Sequence, residues 1–270
     1  MAHTDPRSTP ADTPTDDTAP DARGIATLTI AGDKSLNIIG KAAMDSATAA
    51  LEALRLDPRV RVLIVRGPVD DSTGAGGSFV GGANIHEMGA LTVATAPAFI
   101  NRLRGLCEAL RSFPVPVVAR LSGWCLGAGL EMAMACDVRV SDTTARYGMP
   151  EVKVGIPSVI HASLMPRLIG QARASWMLLT GEPINAATAV QWGLVHSVHA
   201  PAELDDAVQA TARQLAALAP GVLRQQKRLL RSWEAITPDQ AIAASVAEFA
   251  QAFATGEPQR EMAAFFARKV

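Results

Sequence analysis

Residues Leu121 to Cys136 read LSGWCLGAGLEMAMAC. Nearly every residue in this stretch is apolar or small, and a single carboxylate, Glu131, interrupts it. Gly127-Ala128-Gly129 stands just before Glu131, and Leu130, Met132, Ala133, Met134 and Ala135 suit a helix, so a helix is predicted to start in that triplet. The first turn of a helix carries N–H groups with no acceptor inside the helix. Small side chains let another molecule approach those donors, and the helix dipole favours negative charge there. A buried acid beside such donors can stabilise an oxyanion while a proton moves nearby. Two plainer readings compete with this one: the glycines as close helix packing, and Glu131 as half of a structural ion pair.

The flanks of this stretch set the fold class. VPVVARL runs into it as a strand and DVRVS follows it as another. Upstream, IATLTI after Gly24 alternates as a strand does. A helix from about Lys41 carries Met44, Ala47, Leu51 and Leu54 on one face and stops before Asp57-Pro58. Val60 to Val65 reads as a buried strand. Phe99, Ile100, Leu103, Leu106, Cys107 and Leu110 then mark an amphipathic helix ending before Pro114. Strand and helix alternate through this half, which argues an α/β class with parallel pairing. From Leu164 onward the chain reads as mostly helical. Helices are expected around Trp176–Leu179, over Ala186–Trp192 with Gly193 as its cap, and along Leu204, Val208, Leu215 and Leu218. Others follow Pro220, lie along Ile242, Val246, Phe249 and Phe253, and run from about Glu257 to Lys269 with Met262, Phe265 and Phe266.

Composition narrows the function classes. With 25 basic and 26 acidic residues the net charge is −1, which gives no electrostatic footprint for nucleic acid. The apolar stretches are too short or too interrupted for a membrane span, and no signal pattern opens the chain, so a cytoplasmic location is expected. Cys107, Cys125 and Cys136 read as reduced core residues. Residues 1–22, rich in Thr, Pro, Asp and Ala, read as a disordered tail. Residues 23–200 read as the core with the active site, and 201–270 as a helical region for oligomerisation and active-site cover.

Other chemistries lack their signatures. The glycine-rich passage GPVDDSTGAGGSFVGGANIHEM has no GK[ST] ending and no GxGxxG between strand and helix. It reads as a loop followed by a close-approach segment, Phe79 to Met88. His196 and His199 have no further ligands at zinc spacing and read as surface residues. No GxSxG surrounds Ser122. A second isolated acid, Glu151, follows Pro150 in YGMPEVKVGIP.

SFVGGANIHEM, LSGWCLGAGLEMAMACDVRV and YGMPEVKVGIP, in this order and spacing, resemble the crotonase superfamily, and most of all its enoyl-CoA hydratases. The likeness runs from about Gly24 to the C-terminus. It implies a spiral of ββα units with a C-terminal helical region, assembled as a homotrimer or as a hexamer of two trimers. It also implies an acyl-CoA substrate, no metal or redox cofactor, and CoA entering as part of the substrate. Carried over residue by residue, Ala83 and Ala128 match the two backbone donors of the oxyanion hole. The segment Ala83, Asn84, Ile85 and His86 matches the strip that holds the adenine end of CoA. Glu131 and Glu151 match the two hydratase carboxylates, with Glu131 activating water and Glu151 giving a proton to the α-carbon. An enoyl-CoA isomerase or another crotonase reaction is the alternative, and a non-catalytic acyl-CoA- or RNA-binding member is a further one. Three departures stand out: Asn84 replaces the usual Asp, His86 often a Lys, and SVIHASL (Ser158 to Leu164) a glycine-rich segment lining the acyl end in relatives.

Overall fold

A computed structural model describes residues 19–33, 36–69 and 77–268. The tail expectation therefore lies outside the described residues for 1–18, and the loop expectation for 70–76. Within the tail's last residues, the Asp21 carboxylate accepts the N–H groups of Arg23 and Ile25 at 2.8 and 2.9 Å, so the chain is tied to the first strand from Asp21 onward.

The same unit recurs along the chain: a long strand, a short strand, then helix. The first turn is β1 (Ile25–Thr29), β2 (Ile38–Ile39) and α1 (Lys41–Leu56). The second is β3 (Val62–Arg66), β4 (Gly82–Ala83), the short α2 (Ile85–Gly89) and α3 (Ala96–Arg111). The third is β5 (Val117–Leu121), β6 (Trp124–Leu126) and α4 (Ala128–Ala135). The fourth is β7 (Val138–Asp142) and β8 (Arg146–Gly148), followed by 3-10 turns at Pro150–Val154 and Ile160–Leu164, then α5 (Met165–Ile169) and α6 (Gln171–Thr180). After these come β9 (Ile184–Asn185), α7 (Ala186–Trp192), β10 (Ser197–His199), α8 (Leu204–Ala216), α9 (Pro220–Trp233), α10 (Pro238–Phe253) and α11 (Glu257–Ala267).

The long strands stack as one sheet in the order β1-β3-β5-β7-β10, every pair parallel. The short strands pair as β2-β4 and β6-β8, also parallel, with β9 antiparallel on β8. A parallel bridge from Val80 to Cys125 joins the two short sets. A parallel partner must be reached by a crossover, so each helix carries the chain one step along both stacks. The result is an α/β spiral of ββα units with a C-terminal helical region.

The long sheet is buried on both faces, which explains its continuous Val/Ile/Leu runs. Successive side chains of a strand point to opposite faces. Leu63 and Val65 accordingly join the main core with Leu51 of α1 and Leu103 of α3, while Val62 and Ile64 pack with Leu204, Val208 and Ala212 of α8. Burying a side chain of this size stabilises the fold by roughly 1.5–3 kcal/mol. The three cysteines are buried and unpaired. His196 is exposed as expected, whereas His199 is half-buried with its Nε2 2.9 Å from the Ser197 hydroxyl.

Candidate active site

The opening stretch folds as its residues dictate. Gly127 is the N-cap of α4 at φ +48°, a conformation that L side chains rarely adopt. Its N–H donates to Gly148 O and its carbonyl accepts the N–H of Glu131, both at 2.9 Å. Leu126 N–H donates to Val80 O at 3.0 Å. A Cβ at Gly129 would collide with Val80 O, so only glycine lets the helix start this close to the chain entering β4. These contacts fix the N-terminus of α4 against β4. Among the described residues no acceptor meets the Ala128 N–H, as its place in the first turn requires.

Ala83 lies on the neighbouring strand. Asn84 N–H donates to Ile39 O at 2.9 Å, toward β2. Successive N–H groups of an extended strand point to opposite edges, so the Ala83 N–H turns away from β2. Asn84 caps α2, its side chain accepting the N–H groups of His86 (3.0 Å) and Glu87 (3.4 Å). An Asp would do the same, so this departure leaves the local structure intact. Ile85 and His86 are exposed on α2.

Both acids come to the same end of α4. Glu131, only 4% exposed, projects from its first turn. Its Oε1 accepts the Ala162 N–H at 2.9 Å. Glu151 sits in the 3-10 turn after Pro150, and its Oε2 accepts the Ser158 hydroxyl at 2.9 Å. Its other oxygen lies over the helix start: a Cβ at Gly127 would be 2.5 Å from Glu151 Oε1. Burial is the main cause that raises the Glu131 carboxyl from an ordinary 4.5 to about 8. The Ala162 N–H opposes the rise, the Glu151 charge adds to it, and the His161 N–H opposes it again. Burial likewise raises Glu151, against its own backbone N–H and the Ser158 hydroxyl. Among the described residues no cation pairs with Glu131, so the ion-pair reading of this residue is not met.

The segment Ser158–Leu164 is more than a variable lining. Ile160 has φ +42°, a left-handed conformation that is costly for a β-branched residue, and the turn it opens places the Ala162 N–H on Glu131. Nothing in the sequence pattern marks Ser158 or the Ala162 N–H as partners of the acids. The only hint is the loss of glycine at a turn that still needs a positive φ.

A parallel ββα spiral with two carboxyls brought to the start of one of its helices defines the class of fold. Residues 21–269 match the enoyl-CoA hydratase/isomerase family model, and the chain belongs to that family. It is 31% identical over 246 residues to crotonyl-CoA hydratase of Syntrophomonas wolfei, covering 91% of this chain and 92% of that protein. It is 35% identical over 195 residues to the bovine mitochondrial enoyl-CoA hydratase domain-containing protein 2, covering 72% of this chain but 64% of that one. Among solved structures, enoyl-CoA hydratase of Mycobacterium smegmatis superposes with a TM-score of 0.86 at 25% identity, covering 93% of this chain and 95% of the other.

Proposed function

We propose that the protein is an enoyl-CoA hydratase, adding water across the double bond of a 2-enoyl-CoA thioester to give 3-hydroxyacyl-CoA. The observation that carries this reading is the meeting of Glu131 and Glu151 at the start of α4, both with raised carboxyls. Addition of water at the β-carbon pushes charge onto the thioester oxygen. The Ala83 and Ala128 N–H groups are the donors for that charge, each worth on the order of 3 kcal/mol by mutational comparison. Water must lose a proton and the α-carbon must gain one, which two carboxyls sharing a proton at neutral pH can do. Glu151 takes the α-carbon and Glu131 the water. The Glu151 charge is one of the causes that raise Glu131, so the ionisation of one acid bears on the proton held by the other.

The strip Ala83–His86, exposed at Ile85 and His86, is assigned to the adenine end of CoA. The acyl end falls to Ser158–Leu164, where Val159 is exposed and Ile160 replaces a flexible residue with a bulky one. This favours an acyl group unlike that of short-chain hydratases. Incubation of 2-enoyl-CoA and 3-enoyl-CoA thioesters of graded length, with products identified, tests both points. Hydration of 2-enoyl-CoA with a best substrate other than crotonyl-CoA is expected. Isomerisation of 3-enoyl-CoA without hydration would establish the family's alternative chemistry.

A further inference from the structure

Directly behind Glu131 lies a polar residue that hydration chemistry does not use. His161 is buried to 6% exposure between α3 and α4, in the 3-10 turn whose backbone faces the acid. Its Nε2 is 3.4 Å from Glu108 Oε2 on α3. Its Nδ1 is buried with no hydrogen-bond partner among the described residues. Glu108 is itself held from α9, by Arg231 Nη2 at 2.6 Å, with Arg111 Nη1 at 3.7 Å on its own helix.

Burying a half-satisfied polar ring costs free energy that an apolar residue would avoid. The turn also bears the positive φ of Ile160, a conformation that persists only where its surroundings hold it. Both costs fall on the turn that presents the Ala162 N–H to Glu131. Resting on the hydratase reading of that acid, we propose that His161 is a positioning residue: anchored by Glu108, its side chain holds the Ile160–Ala162 turn so that the Ala162 N–H stays aimed at the Glu131 carboxylate.

The consequences have a definite direction. The Ala162 N–H favours the charged acid, so loosening the turn makes Glu131 harder to ionise. The other groups that face the pair are Glu151 and the Cys107 thiol toward Glu131, and Glu108, Arg111 and Arg231 toward His161. Of these only Glu108, which loses its contact with the imidazole, is touched by substituting His161. Burial holds the imidazole below its ordinary 6.5, so it is neutral at pH 7 and presents a donor rather than a charge to Glu108.

His161→Leu keeps bulk and removes the donor; His161→Gln returns an N–H near the Nε2 position. Infrared titration of the carboxyl, assigned by difference against Glu131→Gln, reads the acid directly in the substrate-free protein. In the Leu variant the Glu131 titration should move up by about one pH unit, and turnover should fall about tenfold or more with KM little changed. The Gln variant should return both toward the parent. If the Leu variant does not fold, His161→Asn, polar but too short for Glu108, takes its place. An unmoved titration in a folded Leu or Asn variant overturns the proposal. Absence of hydration by the parent protein would instead refute the hydratase reading, and the titration would still decide whether His161 positions Glu131.

Discussion

Helices α4 and α10 are both rich in alanine and apolar residues, yet they end in opposite situations. Every residue of α4 is buried, whereas α10 buries none of its own. Ile242, Val246 and Phe249 of α10 are 69–75% exposed. The difference follows from connectivity. α4 is threaded between two strands of the spiral and packs on α3 and the turn at Ile160–Leu164, so its whole length, Glu131 included, is enclosed. Among the described residues α10 packs closely on α9 and α11 alone, at the end of the chain. Among the described residues this periodic apolar face of α10 stands exposed.

The steepest way to break this contrast is at the start of α4. Gly127→Ala forces a side chain into a left-handed conformation and onto the Glu151 carboxylate. Displacing an acid by about 1 Å can cost on the order of 100-fold, so turnover should fall by about that factor with substrate binding far less affected. Parent-like kinetics in the Gly127→Ala protein would show that Glu151 does not work from this position.

A second test acts on the other helix. If α10 is covered by a second copy of this chain, the protein is a homotrimer or hexamer, and Val246→Asp with Phe249→Asp should split it. Light scattering should report the monomer mass and melting should fall by several degrees, since each large side chain loses roughly 1.5–3 kcal/mol of burial. A parent protein that is an active monomer at micromolar concentration would refute the oligomer. The smallest effect is expected at the N-terminus: deleting residues 1–18 should leave melting and turnover nearly unchanged, and a loss of several degrees would show that the segment packs on the body.

The same contrast marks what the sequence could disclose. Long periodic elements were legible: α1 ends at Leu56 as Asp57-Pro58 requires, and Met44, Ala47, Leu51 and Leu54 are its buried residues. The helix at the GAG triplet was legible too, as were four of the five strands of the long sheet, β1, β3, β5 and β7. The short strands β2, β4, β6, β8, β9 and β10 were not, because two or three residues carry no periodicity; the family resemblance implied ββα units without placing them. The helical face of α10 was visible, but nothing in its pattern tells a core face from an interface. At the site, Glu131 and Glu151 stood out as lone acids in apolar surroundings. Ser158, seven residues from Glu151 and bonded to it, did not, since a local turn of irregular backbone decides that contact. The left-handed Ile160 was hidden for the same reason, in a place where a glycine would have announced it.

The most direct measurement is turnover and melting of Glu131→Gln and Glu151→Gln across pH. Acid–base help is worth about 10²–10⁴-fold, so each single change should lower hydration at least 100-fold, with the double variant well short of the product of the two. Stability should move the other way for Glu131. The folded acid keeps its proton to about pH 8 while the unfolded one loses it near 4.5, so the native state binds more protons between these values and loses stability as pH rises through them. The Glu131→Gln variant escapes that loss, and its melting temperature should gain on the parent from about pH 5 to about pH 8. Near-parent hydration by Glu151→Gln, or a Glu131→Gln protein that melts several degrees lower with its chemistry intact, would contradict paired-carboxyl catalysis at this site.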